Sequence, residues 1–230
     1  MSDLREKLAL SACSGLLAAM LCAPALAQES VKIGVVLPLS GPNAQFGINS
    51  RTGIEMATDA INKAGGIKSL GGAKIELVVA DVPTPNTAAA ATQRLISQDK
   101  VVGMLGAFAS SITLAASEVT ERAGIPMITH SFADQITSRG YKYIFQVSAK
   151  GSTYGAAQFD YAVALAKKAD AAANKVAIFY EDPAYGTAQA KGLRGAAQAP
   201  NIPAVIDEAY PLGITDVSPL INKLRSSGAD

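Results

Sequence analysis

The sequence predicts an α/β protein of two Rossmann-like lobes, each a parallel sheet flanked by helices, with the second lobe incomplete at its C-terminal end. Three observations carry this. Short β-branched runs alternate with longer alanine-rich stretches of helical period. The alternation pauses near Val147–Gly151 and then starts again. The sequence stops at Ser226-Ser227-Gly228-Ala229-Asp230, a helix terminus where a βαβ unit next supplies a strand. The expected organisation is an export segment over 1–27, an N-terminal lobe over 28–148 and a partial second lobe over 149–230.

The first segment stands apart. Arg5 and Lys7 give a charged start, Leu8 to Leu26 is almost uninterrupted apolar sequence, and Ala25-Leu26-Ala27 has the small-x-small pattern of a secretory cleavage site. A membrane anchor is the competing reading, because the run nearly spans a bilayer. Gly15, Pro24 and the small residues before Gln28 favour cleavage after Ala27. Leu10-Ser11-Ala12-Cys13 matches a lipoprotein box by letter, but few apolar residues precede it. Both cysteines, Cys13 and Cys22, leave with this segment, so the mature chain has no disulfide and no thiolate metal site. Asp3 and Glu6 offset Arg5 and Lys7, so the net charge stays at +1. No basic run is long enough to track phosphates, which argues against a nucleic-acid partner.

From there the elements follow in order. Val31 to Leu37 is apolar with little alternation, as in a buried parallel strand. A helix comes next, with Ile54, Ala57, Ile61 and Ala64 on one face and Gly65-Gly66 as its stop. Lys74 to Ala80 is a strand, and Thr84-Pro85 opens a helix to about Lys100. Val101–Leu105 is a strand, Ser111–Arg122 a helix, Ile125–Thr129 a strand, Ala133–Ser138 a helical turn and Tyr143–Val147 a strand. The second run has helices over Tyr154–Lys168, Ala188–Ala199 and Val217–Ser227, with strands over Lys175–Tyr180 and Ala204–Ala209.

Open parallel sheets bind ligands beyond the carboxyl ends of their strands. After Val101–Leu105 come Gly106-Ala107-Phe108-Ala109-Ser110-Ser111 and a helix. Small residues allow close backbone approach, and Ser110 or Ser111 caps the helix and adds a hydroxyl beside its first N–H groups. That combination suits a carboxylate or other anion without a cationic side chain; the plainer reading is an ordinary N-cap. His130, the one histidine, follows a strand and is a ligand contact or an incidental loop residue. Phe46, Phe108, Phe132 and Tyr185 either line a crevice or close the core under a loop. Turn signals around Tyr185 place it at the surface.

Enzyme signatures are weak, and no enzymatic activity or cofactor is expected. Gly151-Ser152-Thr153-Tyr154-Gly155 has Thr153 where a nucleophile elbow needs serine. One histidine and no mature cysteine leave little for a triad or a zinc site. The carboxylates Glu181 and Asp182 are adjacent in sequence, so they do not flank a substrate together.

Several motifs occur in a telling order: Ile33-Gly34-Val35-Val36, Leu39-Ser40-Gly41-Pro42, Gly53-Ile54-Glu55-Met56-Ala57 and Ile61-Asn62 before Gly65-Gly66-Ile67. Gly124-Ile125-Pro126-Met127-Ile128, Arg139-Gly140-Tyr141 and Asp182-x-x-Tyr185-Gly186 follow. Together they resemble the branched-chain amino-acid-binding protein family of ABC transporters, which has the type I periplasmic-binding fold. The resemblance implies a periplasmic, monomeric protein that closes two lobes on a small ligand, an amino acid or similar organic acid or amide, and delivers it to an ABC transporter permease. It implies ligand contacts from Ala109, Ser110 and Ser111 to the carboxylate, and from Ser131 and its neighbours His130 and Phe132. Phe46 lies near the ligand and Tyr185 closes over it. The acidic partner of an α-ammonium is expected beyond Asp230. A sensory-receptor ectodomain and, further off, a secreted α/β enzyme are the alternatives.

Overall fold

The alternating pattern closes into two parallel sheets in the computed structural model, which describes residues 29–182 and 184–230. The export segment lies outside the described residues. The first sheet contains β1 (Val31–Leu37), β2 (Ile75–Asp81), β3 (Gly103–Gly106), β4 (Met127–Thr129) and β5 (Ile144–Gln146), in the order β2-β1-β3-β4-β5. Every neighbouring pair is parallel, with Ile33 opposite Leu77 on one side and Gly103 on the other. The chain moves to one side of β1 with β2 and to the other with β3. The loops after β1 and β3 therefore diverge and open a crevice at the carboxyl edge.

The connecting helices are α1 (Ala44–Lys63), α2 (Pro85–Ser97), α3 (Ser110–Ala123) and the single turn α4 (Gln135–Ser138). Pro85 sits in the first turn of α2, where its missing N–H costs nothing. Helices α2 and α3 cover one face of the sheet and bury Val36, Leu95, Met104, Ile112, Met127 and Ile136 to within 1% of full burial.

Among the described residues, the opposite face carries α1 alone. Ile33, Ile54, Ile61, Leu77 and Leu105 border an open space of about 500 Å³ beneath it. Ile61, Ile128 and Phe145 remain 43%, 44% and 52% exposed. Of the stripe read from Ile54, Ala57, Ile61 and Ala64, the first three border this space without sealing it, and Ala64 is the exposed C-cap beyond the helix. One helix is about 10 Å wide and strands are about 4.8 Å apart, so α1 covers two strands of five.

The second unit pairs β6 (Val176–Asp182) with β7 (Ala204–Pro211), again parallel. Around them are α5 (Gly151–Lys168), α6 (Ala184–Gln198) and α7 (Ser218–Ser227). Helices α5 and α6 approach to backbone contact: a Cβ on Gly155 would meet the Gln189 carbonyl oxygen at 1.9 Å, and one on Gly192 the Ser152 oxygen at 1.9 Å. The small core here is Phe159, Ile178, Ala188, Ala190 and Ala197, while α7 buries no residue.

Both α5 and α6 start earlier than their periodicity suggests. Gly151 to Gly155 forms the opening turns of α5, so this stretch has no strand-to-helix elbow. Tyr185 lies in the first turn of α6 and is half-buried, not in a surface turn. Glycine and proline near each start masked the apolar period.

Candidate functional site

A cleft of about 470 Å³ lies between the carboxyl edges of the two sheets. From the first unit it is lined by Pro42, Asn43, Phe46, Phe108, Ala109, Ser110, Ser111 and Phe132. From the second come Glu181, Tyr185, Gln189, Leu212 and Gly213.

The wall after β1 is fixed by Asp81 at the end of β2. Its carboxylate accepts the Leu39 N–H at 2.8 Å and the Ser40 hydroxyl at 2.6 Å. This presents Asn43 and the start of α1, where the Phe46 ring stacks on Phe108 with centroids 4.4 Å apart and planes 4° from parallel. A parallel pair of rings makes a flat apolar wall.

The wall after β3 depends on Gly106. Its φ of +131° suits glycine alone, and a Cβ there would come within 2.0 Å of the Val36 carbonyl oxygen. The chain turns through Ala107 and Phe108 into α3, whose N-cap is Ala109 with no side-chain cap. Neither serine is the cap, as the sequence suggested; both sit inside the first turn. Ser110, only 2% exposed, turns its oxygen back to accept the N–H groups of Phe132 at 3.2 Å and Ala133 at 3.1 Å. The first intrahelical bond runs from the Thr113 N–H to Ala109. The preceding N–H groups of the first turn have no side-chain acceptor from the cap, and they lie at the cleft beside the half-buried Ser111.

Two residues of the β4 loop take other places. Ser131 is fully buried and does not line the cleft. Its hydroxyl engages the Ala107 carbonyl, the Phe108 carbonyl at 3.0 Å and the Thr113 hydroxyl at 2.6 Å, with Thr129 completing the group. It braces the β3–α3 turn from behind. His130 lies on the open face under α1, 3.3 Å from the Ser50 hydroxyl and tilted against Phe108. Burial holds its pKa below the ordinary histidine value.

Phe132 does line the cleft and also joins the two units. Its ring meets Tyr154 edge-on at 5.3 Å, and its carbonyl accepts the Gly151 N–H at 2.6 Å. Asp134 adds a second tie by accepting the Ser152 N–H at 3.0 Å in the first turn of α5.

On the far wall the Tyr185 hydroxyl donates to Glu181 Oε2. Burial, and then this bond, push the phenol pKa well above its usual value, so it stays a donor. Glu181 is the only charged side chain lining the cleft among the described residues. Sequence reasoning weighed it only as half of an adjacent carboxylate pair and named neither it nor Asn43 and Gln189 as ligand contacts. Its signal was position: it lies at the carboxyl end of β6, where crevice residues belong. Among the described residues no three His, Cys, Asp or Glu side chains gather as metal ligands. No helix there is long and apolar enough to cross a membrane.

Comparison with known proteins bears on this geometry. The family described as periplasmic binding protein matches residues 30–230. The chain belongs to this family. It is 36% identical over 219 residues to Leu/Ile/Val-binding protein homolog 7 of Brucella suis, covering 93% of this chain and 54% of that one. Among solved structures it is similar to the branched-chain amino acid transporter substrate-binding protein of Streptococcus pneumoniae in complex with isoleucine. That match has 32% identity and a TM-score of 0.75, over 88% of this chain and 55% of the other. A solute-binding protein of an ABC transporter from R. palustris, in complex with 4-hydroxybenzoate, gives 27% identity and 0.74, over 87% and 52%. The α/β fold with parallel sheets flanked by helices is thus that of the type I periplasmic binding proteins. The chain spans about half the length of the curated relatives it matches.

Proposed function

We propose that this chain supplies the ligand-catching walls of an extracytoplasmic solute-binding protein. It holds an amino acid or similar small organic acid between two lobes, divided near residue 148, and presents it to the permease of an ABC importer. The observation that carries the reading is the α3 N-terminus, left without a side-chain cap at a cleft lined by both units. Unpaired N–H groups with the positive end of a helix dipole favour a carboxylate. The Phe46–Phe108 wall and Phe132 receive an apolar or planar body, and Tyr185 closes the site from the second unit. Export with cleavage after Ala27, a periplasmic location and a monomeric state fit this role, and binding proceeds without turnover or cofactor. The relatives' ligands, isoleucine and 4-hydroxybenzoate, are both carboxylates with an apolar body and fit the same division of labour.

The test is a thermal-shift screen of the full-length protein against amino acids and small carboxylates at millimolar concentration. A ligand at a hundredfold excess over Kd stabilises the native state by about 2.7 kcal/mol, which moves the melting temperature by several degrees. Absence of any shift across the panel defeats the proposal, and chemical conversion of a bound ligand establishes an enzyme instead.

A further inference from the structure

We propose that His130 is a positioning residue: it holds the aromatic wall of the cleft from behind, and proton uptake at its ring weakens ligand binding below neutral pH. This deepens the binding-protein reading and rests on it. Four side chains close a circuit here. Phe46 stacks on Phe108 with centroids 4.4 Å apart, and the His130 ring lies tilted against Phe108 at 6.0 Å. His130 Nε2 is 3.3 Å from the Ser50 hydroxyl. Phe46 and Ser50 are one turn apart on α1 and share a side of that helix. The histidine therefore reaches both rings of the wall, Phe108 by contact and Phe46 through the helix that carries it. It does so from the space beneath α1 and does not itself line the cleft. Phe46 is half-exposed, so burial alone does not fix its ring.

The surroundings suit a neutral ring. Among the described residues bordering this space, α1 contributes Ser50, Thr58 and small or apolar side chains, and β1, β2 and β3 contribute apolar ones only. None of them is titratable. Arg51 and Glu55 of the same helix pair with each other and do not border the space. The titratable groups of the cleft, Glu181 and Tyr185, belong to the second unit and line the cleft instead. Burial already favours the neutral imidazole. In that form Nε2 accepts the Ser50 O–H. The imidazolium donates from both nitrogens, so the hydroxyl must turn, and no carboxylate answers the charge. The half-buried ring then gains by moving toward water, which releases Ser50 and the Phe108 edge together. A ligand packed on Phe46 and Phe108 needs both rings in place. It binds the neutral form better, and binding expels a proton. Attraction between the imidazolium and a ligand carboxylate runs the other way, but it acts across the wall, where distance and salt weaken it.

The experiment titrates isoleucine and 4-hydroxybenzoate calorimetrically into the full-length wild type and the His130→Gln variant, from about pH 8 down to about pH 5, a range that brackets histidine and stays above the carboxylates. Glutamine reaches the Ser50 hydroxyl as Nε2 does but takes up no proton, and a matching melting temperature at the alkaline end shows that the fold is intact. Wild-type affinity for a probe that binds is expected to fall about three- to tenfold across the range, within the tenfold per pH unit that one proton allows. Repeating the titration in buffers of different ionisation enthalpy is expected to show part of a proton released on binding, a readout that needs no variant. His130→Gln is expected to bind within about threefold of wild type at the alkaline end and to lose both the slope and the proton release. Wild-type affinity that stays flat or rises on acidification overturns this proposal and leaves the binding-protein reading standing. So does a slope that survives in His130→Gln, or a variant that weakens binding equally at every pH. No binding by either probe at any pH overturns the proposal, while failure of the whole thermal-shift panel overturns the reading beneath it.

Discussion

Ser110 and Ser111 are neighbours of the same type in the same turn, and their surroundings separate them. Ser110 is buried and accepts two backbone N–H groups from the β4 loop. Ser110→Ala strands both donors and is expected to cost about 1–3 kcal/mol of stability, read as a lower melting temperature. Ser111 has no such duty, so Ser111→Ala is expected to leave the melt unchanged and weaken a carboxylate ligand by up to about tenfold in calorimetry. The reverse outcome returns Ser111 to the scaffold. His130 supports a pH prediction. Its unfolded value is near 6.5 and burial depresses the folded one. The unfolded chain therefore takes up a proton at a pH where the folded chain does not, and stability falls as pH drops through 6.5. It is the single histidine, and carboxylates titrate lower, near pH 4. Melting temperature is expected to fall between pH 7 and pH 5, and His130→Asn to flatten that slope. The sequence located most of these side chains at strand ends, but it did not say which way they turn. Ser131 faces inward because buried Thr113 and Thr129 complete its hydrogen bonds across three separate elements.

At the scale of elements, the β1 strand and the α2 and α3 helices were legible because burial on a continuous face leaves a period in the sequence. The openings of α5 and α6 were not. Their first turns carry Gly151 and Tyr185-Gly186, chosen for contact with other backbone segments and with the cleft. The Gly155 and Gly192 contacts come from the same source, since close helix approach asks for a small residue and hides the period. Gly155→Ala is expected to force α5 and α6 apart and cost about 1–3 kcal/mol. Thr92 in α2 gives the opposite sign. It is fully buried, and its hydroxyl has no hydrogen-bond partner among the described residues. Thr92→Val keeps the shape and removes the unsatisfied group, so a gain of about 1 kcal/mol is expected in denaturant unfolding. A loss would mean that the hydroxyl is satisfied in solution.

For the whole molecule, the two faces of the first sheet are unequal, and the inequality has a measurable consequence. One face is sealed by α2 and α3 around Leu95, Met104 and Ile112. Among the described residues, the other presents Ile33, Leu77, Leu105, Ile128 and Phe145 with only α1 above part of it. Parallel sheets ordinarily have both faces covered, because their strands are apolar on both sides. The sequence encoded that two-sided apolarity in β1, and the βαβ order followed from it. The extent of cover did not follow, since it depends on how many helices pack on each side. An uncovered apolar sheet face binds hydrophobic dyes and favours self-association. The 230-residue chain is therefore expected to enhance anilinonaphthalene sulfonate fluorescence while retaining a cooperative melt. Replacing Ile128 and Phe145 with serine removes exposed apolar area without touching the sealed core, so it is expected to lower the dye signal and leave the melting temperature within a few degrees. An unchanged dye signal would place the binding surface elsewhere, and a collapsed melt would mean that these side chains are buried in solution, by self-association detectable as an increased mass in light scattering.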